Sequence, residues 1–109
     1  MAIPHASPGQ VIDVRPLNAQ LASTKTFSIF KSQDLQVIRL ILKAGESFPP
    51  HSVPGEVTIH CIEGCINVSC SGSSTKLVAG QMLFLGGNAE HGVDAVEDAS
   101  ALVTIAIKP

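Results

Sequence analysis

The chain of 109 residues lacks tryptophan and tyrosine and contains only four phenylalanines. Proteins that bind single-stranded nucleic acid stack its bases on aromatic rings, so this composition argues against such a partner. Lysine and arginine number only seven, are dispersed along the chain, and are outnumbered by nine acidic residues. Because a duplex needs a concentrated basic face, the sequence predicts no nucleic-acid partner of either kind.

Long apolar runs are also missing. No stretch approaches the roughly 18 to 20 apolar residues that cross a bilayer. The N-terminal sequence MAIPHASPGQ has no basic start followed by an apolar block, as a secretory signal would have. Cys61, Cys65 and Cys70 are odd in number and match no zinc-finger spacing, so we expect reduced thiols rather than disulfides. The sequence therefore predicts a cytoplasmic protein with no membrane partner.

Short apolar segments separated by glycine and proline turns make up most of the chain. Hydrophobic residues form 45% of it and charged residues 15%, which is enough for one core in one domain. Residues 1–10 are predicted to be a flexible N-terminal arm or an edge strand, and residues 11–109 a single domain. Strands are predicted at 11–14, 26–30, 35–43, 56–64, 65–70, 81–87, 91–96 and 101–107, with one helical candidate at 17–24. This spacing predicts an all-β sandwich or barrel.

Two segments combine glycine and histidine at regular distances. In the first, which contains PPHSVPGEVTIHCIEG, Gly45 is followed after five residues by His51, and Gly64 closes the segment. Gly80 opens the second, GQMLFLGGNAEHGVDA, which contains His91. Glycine suits these positions because it turns corners that a side chain would block. Together the segments resemble the paired motifs of small single-domain cupins of the RmlC-like type, over roughly residues 35–107. The resemblance implies a double-stranded β-helix, a jelly-roll barrel closed around a pocket.

The resemblance also implies a metal site, because the cupin motifs supply three histidines and a glutamate as ligands. In this chain Val53 stands at the second histidine and Val57 at the glutamate, which leaves His51 and His91. The implied site is therefore weakened or lost, with a divalent ion such as Zn, Ni, Fe or Mn at low occupancy. Cys61 could add a thiolate, although a cysteine in a strand is more often a small core residue.

Strand alternation predicts which side chains face the pocket. Residues 51, 53, 57, 59 and 61 share the inward parity, whereas Glu56, Thr58 and His60 are predicted to face outward, with His60 in an interface. An inward Glu56 would need a bulge near Gly55. The predicted pocket residues are His51, Val53, Val57, Ile59, Cys61, Phe84, His91 and Val93, with Met82 or its strand neighbours. Arg39 is expected either to extend to solvent from the outer face or to act as a cation in the pocket.

Three functional hypotheses follow. The favoured one is a cupin-fold protein that binds a small molecule in the barrel pocket, with no catalytic residue assigned. The second is a metal-dependent enzyme, an oxygenase or isomerase, that uses His51, His91 and an unrecognised third ligand. The third is a structural or interaction module with a filled barrel. Because strand edges invite pairing, we also expect a homodimer in which the N-terminal arm or the last strand crosses to the partner.

Overall fold

Two antiparallel sheets account for most of the chain in the computed structural model, which describes residues 5–107. A short 3-10 helix, Asn18–Ser23, precedes the first strand. The strands are β1 (Phe27–Lys31), β2 (Leu35–Leu42), β3 (Ser47–His51), β4 (Val57–Glu63), β5 (Cys65–Cys70), β6 (Ser73–Val78), β7 (Met82–Leu85), β8 (His91–Ala95) and β9 (Ala99–Ala106). The first four residues of the predicted N-terminal arm lie outside the described residues. No helix within residues 5–107 is long and apolar enough to span a membrane.

The large sheet has the strand order β1-β2-β9-β4-β7, and the small sheet has the order β3-β8-β5-β6. This arrangement confirms the all-β jelly-roll fold. The last strand, β9, lies in the middle of the large sheet, where it pairs with β2 along one edge and β4 along the other. Because both of its edges are used within the chain, this strand has no open edge to offer to a partner.

Side-chain alternation along β4 places one face in the core. Val57, Ile59 and Cys61 are at most 3% exposed, whereas Thr58 and His60 between them are half-buried on the other face. Glu56 is exposed and does not turn inward. The predicted parity of this strand is therefore confirmed. The buried core draws on both sheets and contains Leu40, Leu42, Val57, Ile59, Cys61, Ile66, Val68, Leu77, Leu85, Val93, Ala95, Ala99 and Ala101.

Three glycines of the two motifs occupy backbone conformations that other residues rarely adopt. Gly45, Gly64 and Gly80 have φ angles of 84°, 80° and 90°. Gly64, between β4 and β5, has a second constraint, because a Cβ there would collide with the backbone of Asp98 and Ala99. Positive φ therefore favours glycine at all three turns, and the close approach of the chain adds a second requirement at Gly64.

Three elements differ from the prediction. Residues 11–14 form no strand although three of the four are β-branched and apolar, and Val11 is 91% exposed. β3 was predicted as a loop because it contains Pro49 and Pro50. It lies at the edge of the small sheet, where a missing N–H donor is tolerated. β6 was not predicted, because most of its residues are polar. They are exposed, since β6 is an edge strand of the same sheet.

Candidate functional site

A cavity of about 90 Å³ lies between the two sheets. It is lined by Thr26, Ile38, Leu40, Phe48, His51, Val53, Val57, Ile59, His91, Val93, Val103 and Ile105. The hydroxyl of Thr26 is already bonded to the backbone N–H and C=O of Ile41. The two histidines are therefore the polar side chains of the wall that remain able to bind a ligand.

His51 and His91 form a pair, called the histidine pair below, at the ends of two neighbouring strands. His51 ends β3 and His91 begins β8, and the two are register partners. Paired residues on adjacent strands point to the same face of a sheet, which brings both rings to the cavity. Their ring centroids are 4.5 Å apart with an interplanar angle of 52°. His91 is only 4% exposed, whereas His51 is half-buried.

Hydrogen bonds to the backbone fix the protonation pattern of both rings. Nδ1 of His91 lies 3.0 Å from the carbonyl oxygen of Ala89, and Nδ1 of His51 lies 3.3 Å from that of Pro49. A carbonyl oxygen only accepts, so each Nδ1 must carry the proton and donate it. In the neutral ring Nε2 is then a free lone pair. Each of the two neutral rings, which line the apolar cavity, therefore keeps a hydrogen-bond acceptor at Nε2.

Phe48 forms part of the same wall near solvent. Its ring makes an edge contact with His51, with centroids 4.9 Å apart and an interplanar angle of 75°. It is 40% exposed, so it stands at the mouth of the cavity. Sequence reasoning missed Phe48 because β3 was predicted as a loop. It also missed the wall residues of β2 and β9, although the alternation of those strands carried the necessary signal.

Six of the predicted pocket residues line the cavity: His51, Val53, Val57, Ile59, His91 and Val93. Phe84 does not, and that prediction is wrong. Leu83 and Leu85 of β7 pair with the inward-facing Ile59 and Val57, so the intervening Phe84 pairs with Thr58 and faces outward. Phe84 is 65% exposed, and Met82 is 61% exposed on the same face.

Cys61 faces inward as predicted but is not part of the cavity wall. It is fully buried, and its thiol lies 3.5 Å from the carbonyl oxygen of Glu63 and 3.7 Å from that of Gly64. Burial raises the pKa of the Cys61 thiol, with the neighbouring Cys65 contributing in the same direction. Because Cys61 lies in the buried cluster and not on the cavity wall beside the histidine pair, it is a core residue.

The residues present do not fit the metal site that the cupin motifs imply. Val53 and Val57 line the cavity where a histidine and a glutamate would donate. Residues 5–107 hold no group of three or more His, Cys, Asp or Glu side chains placed to bind a metal ion. Two imidazoles lack the carboxylate of the facial site used by non-haem iron oxygenases.

The outer face of the large sheet carries a separate group of polar side chains. Arg39, Glu63 and Ser100, called the outer cluster below, lie beneath residues 15–18. Arg39 is 2% exposed, and its Nη2 donates to the carbonyl oxygen of Arg15 at 2.9 Å and to Oγ of Ser100 at 3.0 Å. The same nitrogen lies 3.3 Å from Oε2 of Glu63. Arg39 therefore lies on the outer face, as one prediction had it, but it is buried and does not extend to solvent. The prediction of a cation in the pocket is wrong.

Glu63 connects the outer cluster to the N-terminal segment. Its carboxylate accepts the backbone N–H groups of Leu17 at 2.9 Å and Asn18 at 3.0 Å, and also the hydroxyl of Ser100. Burial by itself raises the pKa of Glu63. The hydrogen bonds from these three groups and the charge of Arg39 outweigh burial, so the pKa lies below its usual value.

Comparisons with known proteins agree with this architecture. The sequence model of the cupin domain family matches residues 38–108. An RmlC-like cupin from Desulfovibrio desulfuricans is 26% identical, with a TM-score of 0.71, over 94% of this chain and 97% of that one. A cupin superfamily protein from Desulfitobacterium hafniense is 15% identical, with a TM-score of 0.77, over 94% and 100%.

A conserved protein of unknown function from Streptococcus pyogenes is also similar in structure. It is 18% identical, with a TM-score of 0.75, over 100% of this chain and 96% of that one. No curated protein sequence matches the chain. The structural likenesses below 25% identity concern the fold alone.

Proposed function

The chain belongs to the cupin domain family, and from that premise we propose that it binds a small, largely apolar molecule between its two sheets, with the histidine pair as the polar contacts. The observation that carries this proposal is the cavity itself. Its wall is apolar except for Thr26 and two imidazoles with free acceptor atoms. A mostly apolar enclosure with a few converging polar groups is typical of a small-molecule site.

The hydrogen-bond pattern specifies the ligand further. Both Nδ1 atoms donate to carbonyl oxygens, so each neutral ring offers only an acceptor to the cavity. The ligand must therefore supply an O–H or N–H donor. The cavity of about 90 Å³ has the volume of about three water molecules. It encloses a short alcohol or amine, or the end of a longer molecule that leaves past Phe48.

The experiment is an NMR titration of the methyl groups with 2-propanol, compared with acetone, which has a similar size and no donor. We expect the methyl signals of Val53 and Val93 to shift with 2-propanol and to shift at least fivefold more weakly with acetone. Val53→Phe adds bulk to the cavity wall and should remove the response of Val93. Val96→Phe, at an exposed position outside the cavity, should retain it. Equal responses to the two compounds, or none to either, would refute the proposal.

The cavity also bears on the filled-barrel alternative. A self-filled interior leaves no space between His51 and His91, whereas these residues border about 90 Å³ of it. Mass spectrometry of the purified protein under native conditions should therefore detect a retained small molecule. Such a ligand would also identify the natural compound class.

A second candidate function is metal-dependent catalysis. The observation that favours it is the proximity of two imidazole rings, whose nitrogens suit first-row divalent ions such as Zn, Ni, Fe or Mn. With two protein donors the affinity is expected to be weak. Elemental analysis of untagged protein should find well under one equivalent of metal, and a stoichiometric, chelator-resistant ion would favour this candidate.

We further propose a homodimer in a cytoplasmic setting. Met82 and Phe84 are 61% and 65% exposed on the outer face of the large sheet, beside the half-buried Thr58. Contiguous exposed apolar side chains of this kind are typical of interfaces. Sedimentation should show a dimer that Phe84→Ser converts to monomer and Val96→Ser does not. A monomeric parent protein would contradict the proposal.

A further inference from the structure

The outer face of the large sheet carries two rows of side chains that run across its strands to the edge strand β7. Strand pairing places Val37, Thr104, Thr58 and Phe84 in one row, and Arg39, Leu102, His60 and Met82 in the next. Paired residues on adjacent strands point to the same face of a sheet. The part of this face formed by β9, β4 and β7, called the β7-side face below, therefore consists of Thr58, His60, Met82, Phe84, Leu102 and Thr104.

His60 is the titratable member of the β7-side face. It is half-buried between its two register partners, Leu102 on β9 and Met82 on β7. Met82 is exposed, and Phe84 beside it is exposed as well. The imidazole ring of histidine changes its charge near neutral pH. A group that can become positive therefore lies in the middle of an otherwise uncharged and largely apolar surface.

The partner that this surface fits is a second copy of the chain. In a two-fold dimer the same patch lies on both sides of the contact, so a surface without fixed charge meets its own copy without repulsion. The outer face of the small sheet differs, because Asp94 and Lys76 lie exposed on it. The inference below therefore rests on the homodimer proposed above, in which the β7-side face is the interface.

The charged side chains around His60 do not offer it a free counter-charge. The strands β7 and β9, which flank β4, carry none. Beyond them the charged residues are Glu56, Glu63 and Arg39, with Asp13 and Arg15 in the N-terminal segment. Glu63 and Arg39 face each other at 3.3 Å, and Asp13 and Arg15 are paired at 2.6 Å. Glu56 is exposed and lies four residues from His60, which is about 13 Å along a strand.

We propose that His60 makes the homodimer sensitive to pH, so that the neutral ring is buried between the two copies and its protonation separates them. A charged group that leaves water without gaining a partner costs free energy, whereas a neutral ring costs much less. Each copy contributes its own His60, so the dimer carries this cost twice. The dimer therefore forms at neutral pH and dissociates as the pH falls through the range in which imidazole takes up a proton.

The experiment is sedimentation of the full chain between pH ~7.5 and pH ~5.5, with circular dichroism to follow the folded structure. We expect the dissociation constant of the parent dimer to rise at least tenfold across this range. His60→Gln and His60→Leu, which cannot become charged, should remain dimers whose dissociation constant changes less than twofold. The matched control is His5→Gln, exposed beside β1 at the opposite edge of the large sheet. It should keep the response of the parent.

His60→Lys places a lasting positive charge at the same point and should be a folded monomer at neutral pH. A parent dimer that is unaffected by pH, or a response that persists in both neutral variants, would refute the role of His60 and leave the dimer standing. A dimer that tightens in acid would also refute it, because a carboxylate of the other copy would then face the ring. So would dissociation that coincides with unfolding. A parent that is monomeric at neutral pH would refute the homodimer itself, and this inference with it.

Discussion

The histidine pair lies between the two sheets and the outer cluster lies on the outer face of the large sheet, and the two groups use their hydrogen-bonding atoms in opposite ways. In the outer cluster Glu63 accepts from two backbone amides and a hydroxyl and faces Arg39. In the histidine pair each ring is anchored through Nδ1 alone, and Nε2 has no hydrogen-bond partner among the described residues. Both oxygens of Glu63 are therefore paired within the chain, whereas the histidine pair keeps acceptors available.

This difference distinguishes polar groups that stabilise the fold from polar groups that are able to bind a ligand. A buried charged group whose partners all come from the chain stabilises one arrangement of that chain, and removing one partner leaves the others unpaired. A ring fixed on one side and free on the other contributes little to folding but is ready for a ligand. Mutation of the outer cluster should therefore lower the stability of the protein, whereas mutation of the histidine pair should weaken ligand binding.

The largest effect is expected from Glu63→Ala. It leaves Arg39 buried without its carboxylate and removes the acceptor for Leu17 and Asn18. We expect the free energy of unfolding to fall by about 3–5 kcal/mol, measured by urea denaturation. Glu56→Ala, at an exposed position outside the cluster, should change it by less than about 0.5 kcal/mol. A loss in Glu63→Ala no greater than in the control would show that the cluster is not structural.

The next largest effect is expected from a double variant in the wall of the inter-sheet cavity. Val53→His with Val57→Glu restores the two ligand types that the cupin motifs imply, at positions that line the cavity. Without metal, the buried glutamate should lower stability by about 3 kcal/mol. Added Zn²⁺ should raise the melting temperature in a concentration-dependent way, because it binds only the folded chain. Val53→His alone is the control. If zinc stabilises the double variant no more than this control, the four positions do not converge.

Low pH should reduce the contribution of the outer cluster to the free energy of unfolding, by less than Glu63→Ala does. The folded-state pKa of Glu63 lies below its usual value, so its contribution to stability is complete above the unfolded-state pKa of about 4.3 and is lost as the pH falls through the lower, folded-state value. Urea midpoints between neutral pH and pH ~3 should therefore fall more steeply in the parent than in Glu63→Gln. Parallel curves would assign the acid sensitivity to other carboxylates.

The smallest change in stability is expected from His91→Leu, which has no hydrogen-bond acceptor. The ring makes one hydrogen bond, to Ala89, so its loss should cost less than about 1.5 kcal/mol. The response to 2-propanol should nevertheless disappear, because one of the two acceptors is gone. A large loss of stability with binding intact would reverse the comparison between the two regions.

The sequence predicted the fold and half of the site well because those features depend on local rules. Strand alternation placed Val57 and Ile59 correctly, and the motif glycines marked turns that need positive φ. Phe84 was misplaced because the register of β7 against β4 is set by pairing, which alternation within β7 cannot reveal.

Long-range partners account for the remaining errors. Arg39 could not be assigned from sequence because its partners Glu63 and Ser100 are 24 and 61 residues away. The N-terminal segment, in which a strand was predicted at residues 11–14, instead lies against β1, where the N–H of Ala6 donates to the carbonyl oxygen of Ile29. In both cases the contact is made by distant parts of the chain, and no local pattern encodes it.

The central position of β9 has a consequence for how the protein forms. β2 and β4 have no common neighbour until residues 99–106 arrive between them. Until these residues are synthesised, β2 and β4 each keep one strand edge with unpaired backbone groups. Because such non-local pairing is slow and open edges attract other chains, we expect the large sheet to form only after residues 99–106 are available and folding to be sensitive to crowding by nascent copies.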